Sequence, residues 1–247
     1  MTILALEFSS PQRSVAVLSS SRSDKPCASR AASIPGNMGT HITHPSEGVI
    51  CEAIETGGQS TRVFSLIEKV LAEAKIEREQ IDVIAIGLGP GSYTGIRVAL
   101  SVAQGWQLAS RPGGMKLLGI NSVECVAAQA QVEKIFGRVN VVIDAQRNEL
   151  YLAAYDISSS GWKEIEPLHI SALTGIPARA NAGEIWVGPE VTRWLPQGKI
   201  LFPSAATLGG LAAGRTDFVD GDKLTPIYLR ETNFTKAPRH PPGLQTQ

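Results

Sequence analysis

Ile3-Leu-Ala-Leu-Glu-Phe-Ser-Ser10, then Pro11-Gln-Arg13, then Ser14-Val-Ala-Val-Leu18, read as two β-rich runs joined by a polar turn, a hairpin with Glu7 near its bend. The arrangement returns at Val139-Asn-Val-Val-Ile143, Asp144-Ala-Gln-Arg-Asn148 and Glu149-Leu-Tyr-Leu-Ala-Ala-Tyr155, with Asp144 in the corresponding place. Two like units, each ending a strand in a carboxylate, predict a duplicated, two-lobed α/β architecture.

Between the hairpins the periodicity predicts a helix from about Thr61 to Ala74, a strand Ile81 to Ile86, a Gly-rich turn and a helix from about Tyr93 to Ala109. A strand near Leu117 to Ile120 and a helix near Ser122 to Glu133 follow. Strands alternating with helices predict sheets with helical cover. We place one lobe in residues 1–112 and the other in 113–230. The stretch from Arg22 to Gly58 carries Pro26, Pro35, Pro45 and several glycines, and reads as mostly loop. The polar, Pro-rich tail 231–247 has no repeating apolar position to anchor it and is expected to fray.

The 247 residues hold 23 Lys+Arg against 23 Asp+Glu, a net charge of +0. That balance excludes a strongly basic domain built for counterion release from a nucleic-acid backbone. A hydrophobic fraction of 43% supplies a core large enough for a folded protein. No charge-free apolar run approaches the ~20 residues that cross a bilayer. The N-terminus lacks the basic start and small-residue cleavage site of a signal peptide, so a cytoplasmic protein with no membrane partner is expected. Cys27, Cys51 and Cys125 form no C-x-x-C pair and read as ordinary thiols.

The strongest local signal is Gly87-Leu-Gly-Pro-Gly-Ser-Tyr-Thr-Gly-Ile-Arg97, between the strand Ile81 to Ile86 and an apolar helix. Its glycines allow positive φ and close backbone approach, and Ser92 or Thr94 can cap the helix. Free N–H groups at the helix start could hold an anion there; a tight strand-to-helix turn with no ligand explains the same residues. No Lys-Ser/Thr follows the glycines, and the G-x-G-x-x-G spacing fails from both Gly87 and Gly89, so it is neither a Walker loop nor a dinucleotide fingerprint.

Two helices carry more apolar surface than one core-facing side needs. The first has Val63, Phe64, Leu66, Ile67, Val70, Leu71 and Ala74; the second has Ile96, Val98, Ala99, Leu100, Val102, Ala103, Trp106 and Leu108, with polar groups confined to a line through Arg97, Ser101 and Gln104. A shared partner surface accounts for this excess, and so does burial between the sheet and neighbouring helices of the same chain.

Of the four histidines only His41-Ile-Thr-His44 resembles paired metal ligands, and it has no acid at fixed helical spacing. No H-E-x-x-H or Gly-x-Ser-x-Gly is present, which argues against a peptidase or an esterase. Glu7 and Asp144 could together face a Mg²⁺-nucleotide between two lobes, the basis of a phosphotransferase or ATPase reading. An acid at a hairpin bend is also commonly solvated or capping. Neither hairpin has a glycine-rich phosphate loop after its acid.

Gly89-Pro-Gly-Ser-Tyr-Thr-Gly-Ile-Arg97 resembles the G-P-G-S-F-T-G-L-R signature of the bacterial TsaB (YeaZ) family. The likeness extends in order through Ile3 to Ser10, Leu66 to Ala74, Gly119-Ile-Asn-Ser-Val123, Val142-Ile-Asp-Ala-Gln-Arg147 with Glu149-Leu-Tyr151, and Pro226-Ile-Tyr-Leu-Arg230. The resemblance implies an actin-like (ASKHA, ribonuclease H-like) fold. It also implies a non-catalytic scaffold subunit that pairs with a TsaD catalytic subunit through helices of the first lobe and is joined by a TsaE ATPase. Such an assembly transfers threonylcarbamoyl to adenosine 37 of tRNA.

On that reading the partner face is Val63, Phe64, Ile67, Val70, Leu71, Arg97, Leu100, Ser101 and Gln104, used toward TsaD or a second copy of the chain, and tRNA is reached only through the complex. The candidate nucleotide or anion cleft is Glu7, Ser9, Ser10, Gly89, Gly91, Ser92, Thr94 and Asp144. No cofactor is required by the chain itself, and ATP or ADP with Mg²⁺ belongs at an interface of the complex. The sequence departs from the family at Glu7, where relatives carry Asp, at Gln59, Thr61 and Ser65 around the first helix, at Trp106, and at Gly188-Pro-Glu190.

Overall fold

A computed structural model describes residues 1–19, 40–43, 48–57, 63–111, 113–176, 179 and 183–230. Strands β1 (Thr2–Glu7), β2 (Gln12–Ser19), β3 (Thr40–Thr43), β4 (Val49–Thr56), β5 (Val83–Gly87) and β6 (Lys116–Ile120) form one sheet in the order β3-β4-β2-β1-β5-β6. β1 and β2 are the antiparallel hairpin read from the sequence, in register from Thr2↔Ser19 to Glu7↔Ser14; β5 and β6 add in parallel. Helices α1 (Val63–Ala74) and α2 (Tyr93–Ala109) cover one face of it.

The central strands are apolar on both faces. Leu4, Leu6, Val15 and Val17 pack beneath α1 and α2, while Ile3, Ala5, Ala16 and Leu18 pack on the other side. That strict alternation, apolar in both directions, marks strands buried between two helical layers.

Helix α3 (Ser122–Val132) leads to the second sheet: β7 (Gly137–Gln146), β8 (Glu149–Ser158), β9 (Gly161–Ala172), β10 (Ile185–Gly188) and β11 (Lys199–Ile200), ordered β11-β10-β7-β8-β9. β7 and β8 are the second hairpin, antiparallel like the first. Val123, Val126, Ala127 and Ala130 of α3 fill one face of this sheet. The duplicated, two-lobed α/β architecture is thus present.

The chain then returns to the first lobe. Helix α4 (Ala205–Ala213) packs through Ala205, Ala206, Leu208 and Ala212 against Ile3, Ala16, Leu18 and Leu118. Its first two N–H groups donate to Ser14 Oγ at 2.7 Å and Glu52 Oε1 at 3.0 Å. A carboxylate at a helix start satisfies free donors and opposes the dipole, which explains two buried polar side chains in an apolar layer. The first sheet therefore takes in β6, beyond residue 112, and receives α4 from a segment sequentially within 113–230; the lobes interleave along the chain.

The loop reading of Arg22 to Gly58 needs correction. β4 occupies Val49–Thr56 and β3 Thr40–Thr43, paired antiparallel with His41 opposite Ile54. Val49-Ile-Cys-Glu-Ala-Ile-Glu-Thr56 is a β-type run, with Cys51 and Ala53 in the core, but the prolines and glycines around it conceal its length. Cys27, His44, Gln59, Thr61 and the tail 231–247 lie outside the described residues. Cys51 and Cys125 are buried, and burial pushes the Cys125 thiol well up.

Candidate functional site

The glycine turn is built against the bend of the first hairpin. Ser92 N–H donates to Ser9 O at 2.7 Å, and Ser92 Oγ accepts Gly95 N–H at 3.3 Å as the N-cap of α2. A Cβ on Gly91, whose φ is 144°, would sit 2.0 Å from Ser9 O, and one on Gly95 would sit 2.0 Å from Phe8 O. Those glycines are required by backbone-to-backbone contact.

Glu7 does not face a cleft. Its carboxylate is fully buried, accepting Ser9 N–H at 2.7 Å and the Ser122 hydroxyl at 3.0 Å, and it lies where any Cβ on Gly87 would strike it. Burial raises its pKa above the ordinary 4.5, opposed by hydrogen bonds from Ser9 and Ser122. With the folded-state value raised, the native chain keeps the proton in a pH window starting near 4.5 and extending upward. Glu7's contribution to stability is therefore fully present below that window and is lost as pH rises through it. Glu7→Gln is the matching test: it should raise Tm at pH 8 by several degrees, on a scale of about 2–4 °C per kcal/mol, and change it little at pH 4. Equal melting shifts at both pH values would show that the charge is not the cause.

A cleft of about 470 Å³ does open between the lobes, lined on one side by Ser9, Ser10, Arg13, Gly91, Ser92, Tyr93 and Thr94 and on the other by Asp144, Gln146, Pro189 and Glu190. The structure thus gathers six of the eight residues named from sequence and leaves out Glu7 and Gly89. Gly89 points its backbone elsewhere: its N–H donates to Ser122 Oγ and its carbonyl accepts Ser122 N–H.

Asp144 is occupied. Oδ1 accepts Gln146 N–H at 2.7 Å and Oδ2 pairs with Arg193 Nη1 at 2.8 Å. Beside it, burial raises the Glu190 carboxyl pKa, Asp144 adds to the effect, and Arg193 opposes it. A Mg²⁺-nucleotide needs free oxygen ligands converging from both lobes. With Glu7 sealed in the wall and Asp144 held by a guanidinium, these residues do not fit that group. Among the described residues no group of three or more His, Cys, Asp or Glu is arranged to hold a metal.

Sequence reasoning treated Glu190 only as a departure from a pattern and missed Arg193 and Tyr93. The available signal was Gly188, which ends β10 where an added Cβ would lie 2.0 Å from Val142 O, and the following Pro189 and Glu190 line the cleft.

The expected partner face also divides. Val63, Ile67, Val70 and Leu100 are buried in the core of the first lobe. They are a correction to the sequence reading, with a physical reason: α1 and α2 lie over a wide six-stranded sheet, and that contact needs the broad apolar stripes. Arg97 is exposed but donates from Nε to Tyr228 Oη at 3.2 Å, and Gln104 donates to Gly221 O at 2.7 Å. Phe64, 56% exposed, and Ser101 face outward, and Leu71 is half-buried. Trp106 is half-buried beneath the Arg78 guanidinium, 4.6 Å from its ring centroid.

The family model described as "TsaD: tRNA N6-adenosine threonylcarbamoyltransferase" matches residues 40–207. The Escherichia coli protein named tRNA threonylcarbamoyladenosine biosynthesis protein TsaB is 27% identical over 188 residues, covering 68% of this chain and 79% of that one. The Haemophilus influenzae protein of the same name is 28% identical over 153 residues, covering 62% and 53%. The solved structure of YeaZ from Pseudomonas aeruginosa superposes with a TM-score of 0.69 at 24% identity, over 92% of this chain and 99% of that one, and shows that the two share the two-lobed α/β fold. Matched by the TsaD family model over more than half its length, with curated relatives that carry the TsaB name, the chain belongs to the TsaB (YeaZ) branch of that family.

Proposed function

We propose that this chain is the non-catalytic, TsaB-type subunit of the machinery that makes threonylcarbamoyladenosine in tRNA. In this reading it pairs with a TsaD-type catalytic subunit, a TsaE-type ATPase joins them, and the transfer to adenosine 37 takes place on the TsaD side. The observation that carries it is the placement of Glu7. The acid that a nucleotide-using enzyme of this fold would need in its cleft is here a buried structural group, held by Ser9 and Ser122. Family membership supplies the reaction.

The neutral overall charge supports tRNA contact through the complex rather than by this chain alone. No cofactor is needed by the chain itself, and ATP or ADP with Mg²⁺ belongs to an interface of the assembly. The setting of this reading is the cytoplasm, where tRNA is modified; among the described residues no helix is long and apolar enough to cross a membrane.

The partner surface in this reading is the outer side of α1 and α2, centred on Phe64 and flanked by Leu71 and Ser101. The same surface can pair two copies of the chain when the partner is absent. Size-exclusion chromatography with light scattering, on the chain mixed with the TsaD-type protein of the same organism, should show a complex. Phe64→Glu should weaken that complex about tenfold or more, the scale of an anchoring aromatic at an interface, without moving the melting curve. A chain that ignores that partner overturns the proposal, and calorimetry with Mg-ATP then decides the phosphotransferase alternative.

A further inference from the structure

Two motifs singled out in the sequence, Pro226-Ile-Tyr-Leu-Arg230 and Asp144-Ala-Gln-Arg-Asn148, meet in space although Ala145 and Arg230 stand 85 residues apart. The closing segment is first fastened along α2. Gly221 N–H donates to Gln107 Oε1 at 2.8 Å, and Gly221 O accepts Gln104 Nε2 at 2.7 Å. Ile227 N–H then donates to Leu88 O at 2.9 Å, just past β5. Tyr228 accepts the Arg97 hydrogen bond, its ring centroid lies 6.0 Å from that of Tyr93, and the Arg97 guanidinium lies 4.4 Å from the Tyr93 ring.

Two residues later the segment crosses to the other lobe. Arg230 donates to Ala145 O at 3.0 Å and pairs with Glu149, one contact on each side of the turn Gln146-Arg147-Asn148. All three of those residues have positive φ, 61°, 55° and 58°, a conformation that side chains with a Cβ resist. The turn is held in it by Asp144 from one side, by Leu173 N–H on Asn148 O from the other, and by Arg230. Tyr93 and Gln146 line opposite walls of the cleft.

We propose that Ile227–Arg230 is a latch between the lobes, and that Arg97 on the exposed side of α2 is its release. Tyr228 is 51% exposed and Tyr93 57%, so the contact sits at the surface where a partner can reach it. A carboxylate on the partner binds a guanidinium more strongly than a neutral phenol oxygen does. An acidic partner surface that draws Arg97 away from Tyr228 therefore loosens the segment and, through Arg230, the Gln146–Asn148 turn across the cleft. The latch stands on contacts within this chain; its trigger rests on the partner reading above.

Hydrogen exchange by mass spectrometry on the full chain tests both parts. Arg97→Ala should speed exchange in the peptide spanning 143–150 about fivefold or more, although Arg97 does not touch that peptide, and Arg230→Ala should reciprocally speed the first turn of α2. Tyr228→Phe, which loses the hydroxyl alone, should reproduce the Arg97→Ala effect, and Lys163→Ala, exposed on β9 and outside the partner surface, should change neither region. Effects confined to each variant's own surroundings overturn the latch. Saturating TsaD-type partner should speed exchange at 143–150 in the wild type but add nothing in Arg230→Ala. Binding without that change overturns the trigger, and no binding at all overturns the partner reading while leaving the result with the single variants to judge the latch.

Discussion

Ile67→Glu should abolish the folded state, whereas Phe64→Glu, three residues earlier on the same helix, should leave it intact. Ile67 is 1% exposed within the core formed by β1, β2, β4, α1 and α2; Phe64 is 56% exposed. Replacing the first puts a carboxylate among apolar side chains with no charged partner and also loses the packing of a full isoleucine. The packing loss alone is on the order of 2–5 kcal/mol, and an unpaired buried charge adds several more. Domains are stable by only about 5–15 kcal/mol, so the sum consumes most or all of it. Far-ultraviolet circular dichroism and a thermal melt of both variants check this. A native melting curve for Ile67→Glu, with only partner binding lost, would return Ile67 to the outer surface.

Gly95→Ala should be strongly destabilising although helix propensity argues the other way. Alanine is favoured over glycine inside a helix by about 1 kcal/mol. At Gly105, where a Cβ would meet nothing within 4 Å, that preference should show as a gain of about that size. At Gly95 the new Cβ would lie 2.0 Å from the carbonyl oxygen of Phe8 and 3.1 Å from its carbon, both main-chain atoms of the buried strand end. Relief requires α2 to move off the β1–β2 bend, opening the contact made by Ser92 N–H on Ser9 O.

We expect a loss of about 3 kcal/mol, the upper end of the range for overpacking a closed core because the atoms met are main-chain, and hence a fall in Tm of about 6–12 °C. Paired melts of Gly95→Ala and Gly105→Ala measure it, and similar shifts for the two would mean that the close approach is not a constraint. The first turn of α2 also forms one wall of the cleft, so the same strain should disturb Ser92 and Thr94 before it reaches the distant end of the helix.

The hairpins were legible because their signals are local. Alternating apolar residues on either side of a polar turn leave few other ways to satisfy the backbone, and β1–β2 and β7–β8 form where that pattern places them. The start of α2 was legible for the same reason, since Ser92 caps it from its own side chain. β4 was not, because the residues that identify a strand were surrounded by glycines and prolines that ordinarily end one.

The site was legible only in part. Gly91, Ser92, Thr94 and Asp144 stand beside local turn signals, and all four line the cleft. The role of Glu7 could not be read, since an acid at the end of a strand can point into a cleft or into the wall. That choice was made by Ser122 and Gly87, which belong to other elements. The apolar stripes of α1 and α2 were similarly visible as stripes, while the width of the sheet beneath them decided which residues stayed outside.

The two hairpins, helices α1 to α3 with strands β5 and β6, and the capped glycine turn therefore follow from the sequence by itself, because neighbouring residues establish them through turn chemistry, capping and side-chain period. The tertiary structure alone decided the burial of Glu7, the return of α4 to the first lobe and the contact of Arg230 with the second hairpin. Each depends on atoms brought together from distant parts of the chain, and no local pattern specifies which distant group will arrive.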